Sequence, residues 1–211
     1  MKPYYQDNAV TIYLGDCRDI APTLGKFDML LTDPPYGMNY KSNRREKHAQ
    51  LGGIAGDDQF PHWVFDYSGT HASFVFCRWD NLTELPAPKS FIVWDKGRHS
   101  MGDLEHEYGR QWEGIAFYPG ALHGFTRRPA DIIRIPCVPS SALLHPNEKP
   151  AGLITNLLGH TKGETILDPF AGSGTTGRAA KDMGKTATLI ELDEKYCEIA
   201  ARRMSQEVFP L

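Results

Sequence analysis

The stretch from Ile166 to Asp193 narrows the possible folds more than any other part of the 211-residue chain. Ile166-Leu167-Asp168 is a short apolar strand that ends on an acid and runs into Pro169-Phe170-Ala171-Gly172-Ser173-Gly174-Thr175-Thr176-Gly177. A helical stretch follows over Arg178 to Met183. Lys185 to Asp193 then alternates like a second strand, again tipped by acid. Strand, glycine turn, helix and strand in this order fit a parallel sheet covered by helices. Gly172 and Gly174 allow close backbone approach and dihedrals that other residues avoid. The helix start beyond them offers free N–H groups and a positive dipole end. Glu191, at the tip of the second strand, is placed to accept hydrogen bonds from both hydroxyls of a ribose. A nucleoside is the ligand expected here.

A second apolar run, Phe27 to Thr32, meets Asp33-Pro34-Pro35-Tyr36. Two prolines have no N–H to donate, so they end both sheet pairing and any helix. Each also pushes the residue before it toward extended geometry. Asp33 and the Pro34 carbonyl are therefore expected to stand rigidly at a strand's carboxyl end, with Tyr36 beside them. Ligands of open α/β sheets bind at that end. Two acceptors and an aromatic face can hold a flat ring by its amino group. A strand-ending turn with an exposed acid is the competing reading.

Together these residues resemble the S-adenosylmethionine-dependent DNA methyltransferases that modify exocyclic amino groups. Asp33-Pro34-Pro35-Tyr36 is similar to the family's catalytic motif, and Asp168 to Gly174 to its cofactor loop. His145-Pro146-Asn147-Glu148-Lys149-Pro150 is similar to the segment that precedes that loop. The catalytic motif comes first, as in the circularly permuted beta group. The resemblance covers most of the chain. It implies an α/β, Rossmann-like fold with a doubly wound, mostly parallel, seven-stranded sheet, its last hairpin near Trp94 to Tyr118. A single domain is expected, with a target half over 1–144 and a cofactor half over 145–211.

The same resemblance assigns roles. Asp33, Pro34, Pro35 and Tyr36 are the catalytic residues, with Asp33 also near the cofactor. Phe170, Gly172, Ser173 and Gly174 line the methionine part of S-adenosylmethionine, flanked by Pro169, Thr175 and Thr176. Asp168 orients its ammonium and Glu191 its ribose. Asp16 and Cys17 lie near its adenine; for Asp16 the alternative is an N-cap on Arg18 to Leu24. Lys149 either approaches the cofactor carboxylate or is a surface lysine at a helix start. An initial Asp leans toward adenine N6 as the target, with cytosine N4 and RNA adenine as alternatives. A non-catalytic nucleic-acid-binding relative is a further alternative, but it would have no need of both motifs.

With 41% hydrophobic and 23% charged residues the composition is that of a soluble globular domain. The net charge of −3 runs against a nucleic-acid binder, so any DNA contact must come from local basic clusters. Lys41, Arg44, Arg45 and Lys47 form one cluster directly after Tyr36, and Arg127 and Arg128 form a second. Both are candidate phosphate contacts, against a reading as solvated surface. Trp112, Tyr118, His123 and Phe125 flank the second cluster, as groove or core residues. Cys17, Cys77, Cys137 and Cys197 form no Cys-x-x-Cys pair, so no metal is expected and the thiols should be reduced. The polar N-terminus and the lack of long apolar runs point to a cytoplasmic protein with no membrane segment. Recognition is left to loops within 38–60, 97–113 and 119–130. DNA is the expected partner. A homodimer and a cognate restriction enzyme both stay open.

Neutralising Lys41, Arg44, Arg45 or Lys47 singly should weaken binding to any duplex alike. Each change should reduce the slope of log affinity against log salt by roughly 0.9. Titrations of one duplex across a salt series measure this, and an unchanged slope in all four variants assigns the cluster to solvent.

Overall fold

In the computed structural model, which describes residues 1–37, 60–67, 72–99, 108–120, 128–145 and 147–206, nine strands join in one sheet. They are β1 (Tyr5–Gln6), β2 (Val10–Leu14), β3 (Met29–Thr32), β4 (Ala72–Cys77), β5 (Ser90–Asp95), β6 (Trp112–Tyr118), β7 (Ile132–Arg134), β8 (Thr165–Asp168) and β9 (Thr186–Glu191). Their order is β1-β2-β9-β8-β3-β4-β6-β5-β7. Only β1 and β6 run against the rest. The seven expected strands are β2, β9, β8, β3, β4, β6 and β5, with β5 and β6 as the antiparallel hairpin. Two short strands, β1 and β7, extend the edges. The fold is Rossmann-like.

Central strands are covered on both faces, which is why they read as unbroken apolar runs. Every residue of β3 and β4 is buried. The pleat sends alternate side chains to opposite faces. Met29, Leu31, Phe74 and Phe76 join one core with Leu153, Leu157, Ala180 and Met204 from the helices. Leu30, Val75 and Cys77 join a second core with Ile20, Phe60 and Val64.

The helices are α1 (Cys17–Ile20), α2 (Ala151–Gly159), α3 (Thr175–Asp182) and α4 (Glu194–Ser205). Three boundaries differ from expectation. α3 begins at Thr175, not Arg178, because Gly174 at φ 79° turns the chain directly into the helix. Pro150 stands one position before α2 in extended geometry, and is not its first helical residue. Arg18 to Leu24 is split, since Pro22 tightens the stretch Ala21–Thr23 into a 3-10 turn. Tyr196, Ala200 and Met204 are core residues of α4, as their spacing indicates. No described helix is long and apolar enough to cross a membrane.

The chain leaves β3 for β4 on one side and leaves β8 for β9 on the other, while β3 and β8 are themselves paired in parallel. This is the switch point of an open α/β sheet, where a crevice opens outside the carboxyl ends of the strands. Gly174 shapes its floor. A Cβ there would lie 2.8 Å from the Ala200 Cβ, whereas a Cβ at Gly172 (φ 51°) meets nothing closer than 3.5 Å. Gly174→Ala should therefore cost about 3 kcal/mol, from left-handed strain plus overpacking against α4, and Gly172→Ala about 1 kcal/mol from strain alone. Urea unfolding of both variants checks the order; equal losses would show that α4 yields to the added methyl.

Candidate active site at the switch point

Asp33-Pro34-Pro35-Tyr36 leaves the tip of β3, and Asp168 stands at the tip of β8 beside it. The Thr32 hydroxyl donates to Asp168 Oδ1 at 3.1 Å and ties the two tips together. Both Asp33 carboxylate oxygens are engaged. Lys149 Nζ donates to Oδ2 at 2.5 Å, and the Tyr36 hydroxyl donates to Oδ1 at 2.5 Å. Asn81, itself buried, holds the Tyr36 carbonyl through its side-chain amide at 3.2 Å. Tyr36 is thus fixed at both its backbone and its hydroxyl.

Lys149 is 7% exposed, which excludes the surface reading, and its ammonium points at the catalytic motif. The ammonium lies 5.1 Å from the Phe76 ring centre and 5.8 Å from that of Tyr36. Its second acid is Glu113, whose Oε2 is 3.1 Å away. Lys96 donates to the other oxygen of Glu113. Two acids and two lysines form a charge-balanced buried group. Burial pushes the Glu113 carboxyl up, but the Lys149 and Lys96 cations outweigh it and bring it down to about 2. Burial also disfavours a charged Lys149, and Asp33 and Glu113 overcome that and raise it above its ordinary value. Asp33 is pushed up by burial, with Lys149 opposing. Burial and the neighbouring Asp33 raise the Tyr36 phenol, so it stays a donor.

Glu113 was not among the candidates. It stands at the start of β6, which runs antiparallel, so its amino end lies along the same edge as the carboxyl ends of β3 and β4. The visible signal was an acid between Trp112 and the apolar run Gly114 to Tyr118. The hairpin expected near Trp94 to Tyr118 reverses this strand, but nothing in the sequence says that its first acid faces Lys149.

On the cofactor side, Glu191 accepts from Gly172 N at 2.8 Å and Asp193 N at 2.9 Å, which orients its carboxylate at the β9 tip. Gly15 N donates to the Glu191 carbonyl at 2.9 Å and brings the turn containing Asp16 alongside. Asp16 caps α1 by accepting from Arg18 N at 2.8 Å and also pairs with the Arg18 guanidinium. The capping alternative is therefore realised. Cys17 is buried, and burial pushes its thiol up to about 12. Phe170 is half-buried against Trp63, with ring centres 5.7 Å apart. The Ser173 and Thr175 hydroxyls accept from Arg203, at 3.4 and 2.8 Å, and so brace the turn. Arg203 also pairs with Glu148, one residue before Lys149. Gly172, Gly174 and Gly177 do follow the Gly-x-Gly-x-x-Gly spacing, so spacing alone does not separate a nucleoside from a dinucleotide. The third glycine serves packing: a Cβ at Gly177 would lie 2.7 Å from Leu189 of β9.

Lys41, Arg44, Arg45, Lys47 and Arg127 lie outside the described residues, as do His123 and Phe125 and, of the expected recognition loops, residues 38–59, 100–107 and 121–127. Arg128 is exposed and lines a cleft of about 230 Å³ with Ser90, Phe117, Asn156 and His160. Ser90 begins β5 and Phe117 is near the end of the reversed β6, so this cleft sits at the opposite end of the sheet from Asp33. Arg128 is thus misplaced for gripping a strand beside the catalytic motif. Tyr118 donates to the Pro86 carbonyl at 2.7 Å, and Trp112 is partly exposed.

Residues 123–202, which carry Lys149, the glycine turn and Glu191, match the N6_N4_Mtase family, described as DNA methylase. Over these residues the chain is similar to the N6/N4 DNA methylases. It is 24% identical to the Type II methyltransferase M.ScaI of Streptomyces caespitosus, over 98% of this chain and 84% of that one. The aligned span of 271 positions exceeds the 211 residues here, so M.ScaI carries insertions that this chain lacks. Among solved structures, the M1.HpyAVI-SAM complex superposes with a TM-score of 0.65 at 22% identity, over 93% of this chain and 100% of that one. The cytosine-N4-specific PvuII DNA methyltransferase does so with 0.70 at 14%, over 99% and 91%. Both share the fold of this chain.

Asp168 is the buried acid that lacks a cation. Burial raises its carboxyl to about 6, against hydrogen bonds from Thr176, Phe170 N and Thr32. The folded chain therefore holds a proton between pH ~4 and ~6 that the unfolded chain has lost, and stability falls as pH rises through that window. His145 acts the other way, because burial and the nearby Lys149 lower it to about 4. Comparing Asp168→Asn with wild type cancels the His145 contribution. The difference in unfolding free energy should move in favour of the variant by about 2–3 kcal/mol between pH 4 and pH 7. A constant difference across that range would show that Asp168 ionises as freely folded as unfolded.

Proposed function

We propose that this protein transfers a methyl group from S-adenosylmethionine to the exocyclic amine of a base in DNA, with adenine N6 as the target. The observation that carries the reading is the meeting of Asp33-Pro34-Pro35-Tyr36 and the Asp168–Gly174 turn at one switch point, although the two are far apart in the chain. Methylation of DNA by the named relatives agrees with it. The initial Asp33 favours adenine over cytosine.

The residues present suit the cofactor. Asp168, raised to about 6 by burial, is where an amino-acid ammonium would lie, and an incoming positive charge would return it to the ionised form. Glu191 presents an oriented carboxylate for two ribose hydroxyls. Bound S-adenosylmethionine supplies a methyl group already activated by its sulfonium. The protein's task is then the nucleophile. The lone pair of an exocyclic amine is delocalised into its ring. Asp33 and the Pro34 carbonyl, accepting its two hydrogens, draw the nitrogen toward tetrahedral geometry and stabilise the positive charge that develops there. Tyr36 offers a face on which the base stacks. A base inside a duplex cannot reach this crevice, so it must be flipped out. Asp33 can afterwards accept the proton that the methylated nitrogen loses.

The test is to incubate the protein with duplex DNA and labelled S-adenosylmethionine, digest to nucleosides, and identify the labelled base. Label on N6-methyladenine is expected. Label on N4-methylcytosine moves the target to cytosine, and unlabelled DNA removes the function. In the same assay Asp33→Ala should abolish transfer while cofactor affinity stays within a few-fold, because the lost interaction belongs to the transition state. Glu191→Ala should weaken cofactor binding by about 1–3 kcal/mol through lost charged hydrogen bonds. Calorimetry with S-adenosylmethionine separates the two, and the ribose assignment fails if Glu191→Ala binds like wild type.

A further inference from the structure

We propose that Glu113 is a positioning residue that receives the Lys149 ammonium when the target amine takes its place on Asp33. The inference rests on the methyl-transfer reading above.

The need for such a residue comes from Asp33 itself. Lys149 donates to Oδ2 and the Tyr36 hydroxyl to Oδ1, both at 2.5 Å, so an incoming amine must share an oxygen with one of these donors or displace it. Tyr36 is anchored at its carbonyl by Asn81, whereas Lys149 approaches on a long, rotatable stem. The lysine is the partner free to swing. An ammonium this deeply buried cannot be left without an acceptor, since an unpaired buried charge is strongly disfavoured.

Glu113 provides the acceptor. Its Oε2 lies 3.1 Å from Lys149 Nζ, yet it is buried and makes no hydrogen bond in this arrangement. The oxygen is close enough to bond and is not properly aligned to do so. A small rotation at the end of the lysine side chain converts the contact into a hydrogen bond while breaking the one to Asp33. Lys96, on the other oxygen of Glu113, keeps that carboxylate charged and fixed. The buried group remains neutral overall in both positions. Positive charge that develops on the target nitrogen would be repelled by an ammonium on Asp33 Oδ2. With Lys149 on Glu113, Asp33 stabilises the nitrogen alone. The charged and titratable groups facing this pair are Asp33 and Tyr36 after β3, Cys77 at the end of β4, Lys96 after β5, and His145 before α2.

The test compares wild type, Glu113→Gln, Glu113→Asp, Lys149→Met and the double variant Glu113→Gln/Lys149→Met, by steady-state methylation of duplex DNA and by calorimetry with S-adenosylmethionine. In Glu113→Gln the lysine keeps Asp33 as its only full charge. kcat/KM for DNA should then fall roughly tenfold or more, with cofactor affinity unchanged. Glu113→Asp keeps the charge and should retain most of the activity. Removing the lysine from Glu113→Gln should restore most of the loss, because nothing then competes for Asp33. Lys149→Met alone leaves Asp33 facing Glu113 without its cation. The acidic limb of its pH profile should move up, and should come part of the way back in the double variant. A merely structural Glu113 gives a double variant no better than Glu113→Gln, and that result overturns the inference. If wild type methylates DNA and Glu113→Gln matches it, this inference alone falls. If wild type methylates nothing, the proposed function falls and takes this inference with it.

Discussion

The parallel pairing of β3 with β8 joins two segments 137 positions apart in the chain and aligns Met29 with Ile166 and Leu30 with Leu167. Asp28 reinforces it from below, donating its N–H to the Thr165 hydroxyl and accepting from Glu164 N and Thr165 N. A slip of one residue would reverse which side chains enter each core and would separate Thr32 from Asp168. The register therefore decides more than sheet stability. It brings the strand tip that carries Asp33 level with the tip that carries the glycine turn, and the crevice between them exists only because the chain departs from these strands in opposite directions.

Around that crevice the protein keeps several ionisable groups out of water. Asp33, Glu113, Lys149 and Lys96 balance one another, and a group of this kind is weak evidence for stability, because desolvation offsets much of the attraction. Its value is geometric. Lys149 cannot move without finding another acid, Tyr36 cannot turn without leaving Asp33, and Glu113 cannot be neutral while two lysines face it. Asp168 differs, being a buried acid with hydroxyl and N–H donors but no cation. Such sites lower stability near neutral pH, and they are common where a charged ligand completes the arrangement.

The segment from His145 to Lys149 links the two halves. His145 packs edge-on against Tyr196 at 4.4 Å, and Glu148 reaches Arg203, which in turn holds the hydroxyls of Ser173 and Thr175. The lysine on the catalytic acid is thus anchored in the same network that braces the glycine turn. Displacing the turn would displace Lys149.

The sequence by itself determined the parallel α/β class, most strands, the strand-tip position of Asp33 and the order of the two motifs. Those features are local. Proline removes a backbone donor wherever it sits, glycine permits left-handed turns, and strands buried on both faces must be apolar throughout. It also singled out Asp168, Glu191 and the glycines, because the strand–turn–helix pattern announces itself within thirty residues. What only the tertiary structure decided was which charges face one another. Lys149 was ambiguous because a lysine at a helix start is usually solvated, and only packing beneath Phe76 and Tyr36 sets it on Asp33. Glu113 was invisible because nothing in the sequence says that the first acid of the reversed β6 faces Lys149. Arg128 read only as a candidate phosphate contact or a surface charge, and the direction of β6 sets it toward the end of the sheet away from Asp33. Chain-local chemistry can be read in order along the sequence. Long-range electrostatics appears only when register and strand direction bring distant residues within a few ångströms.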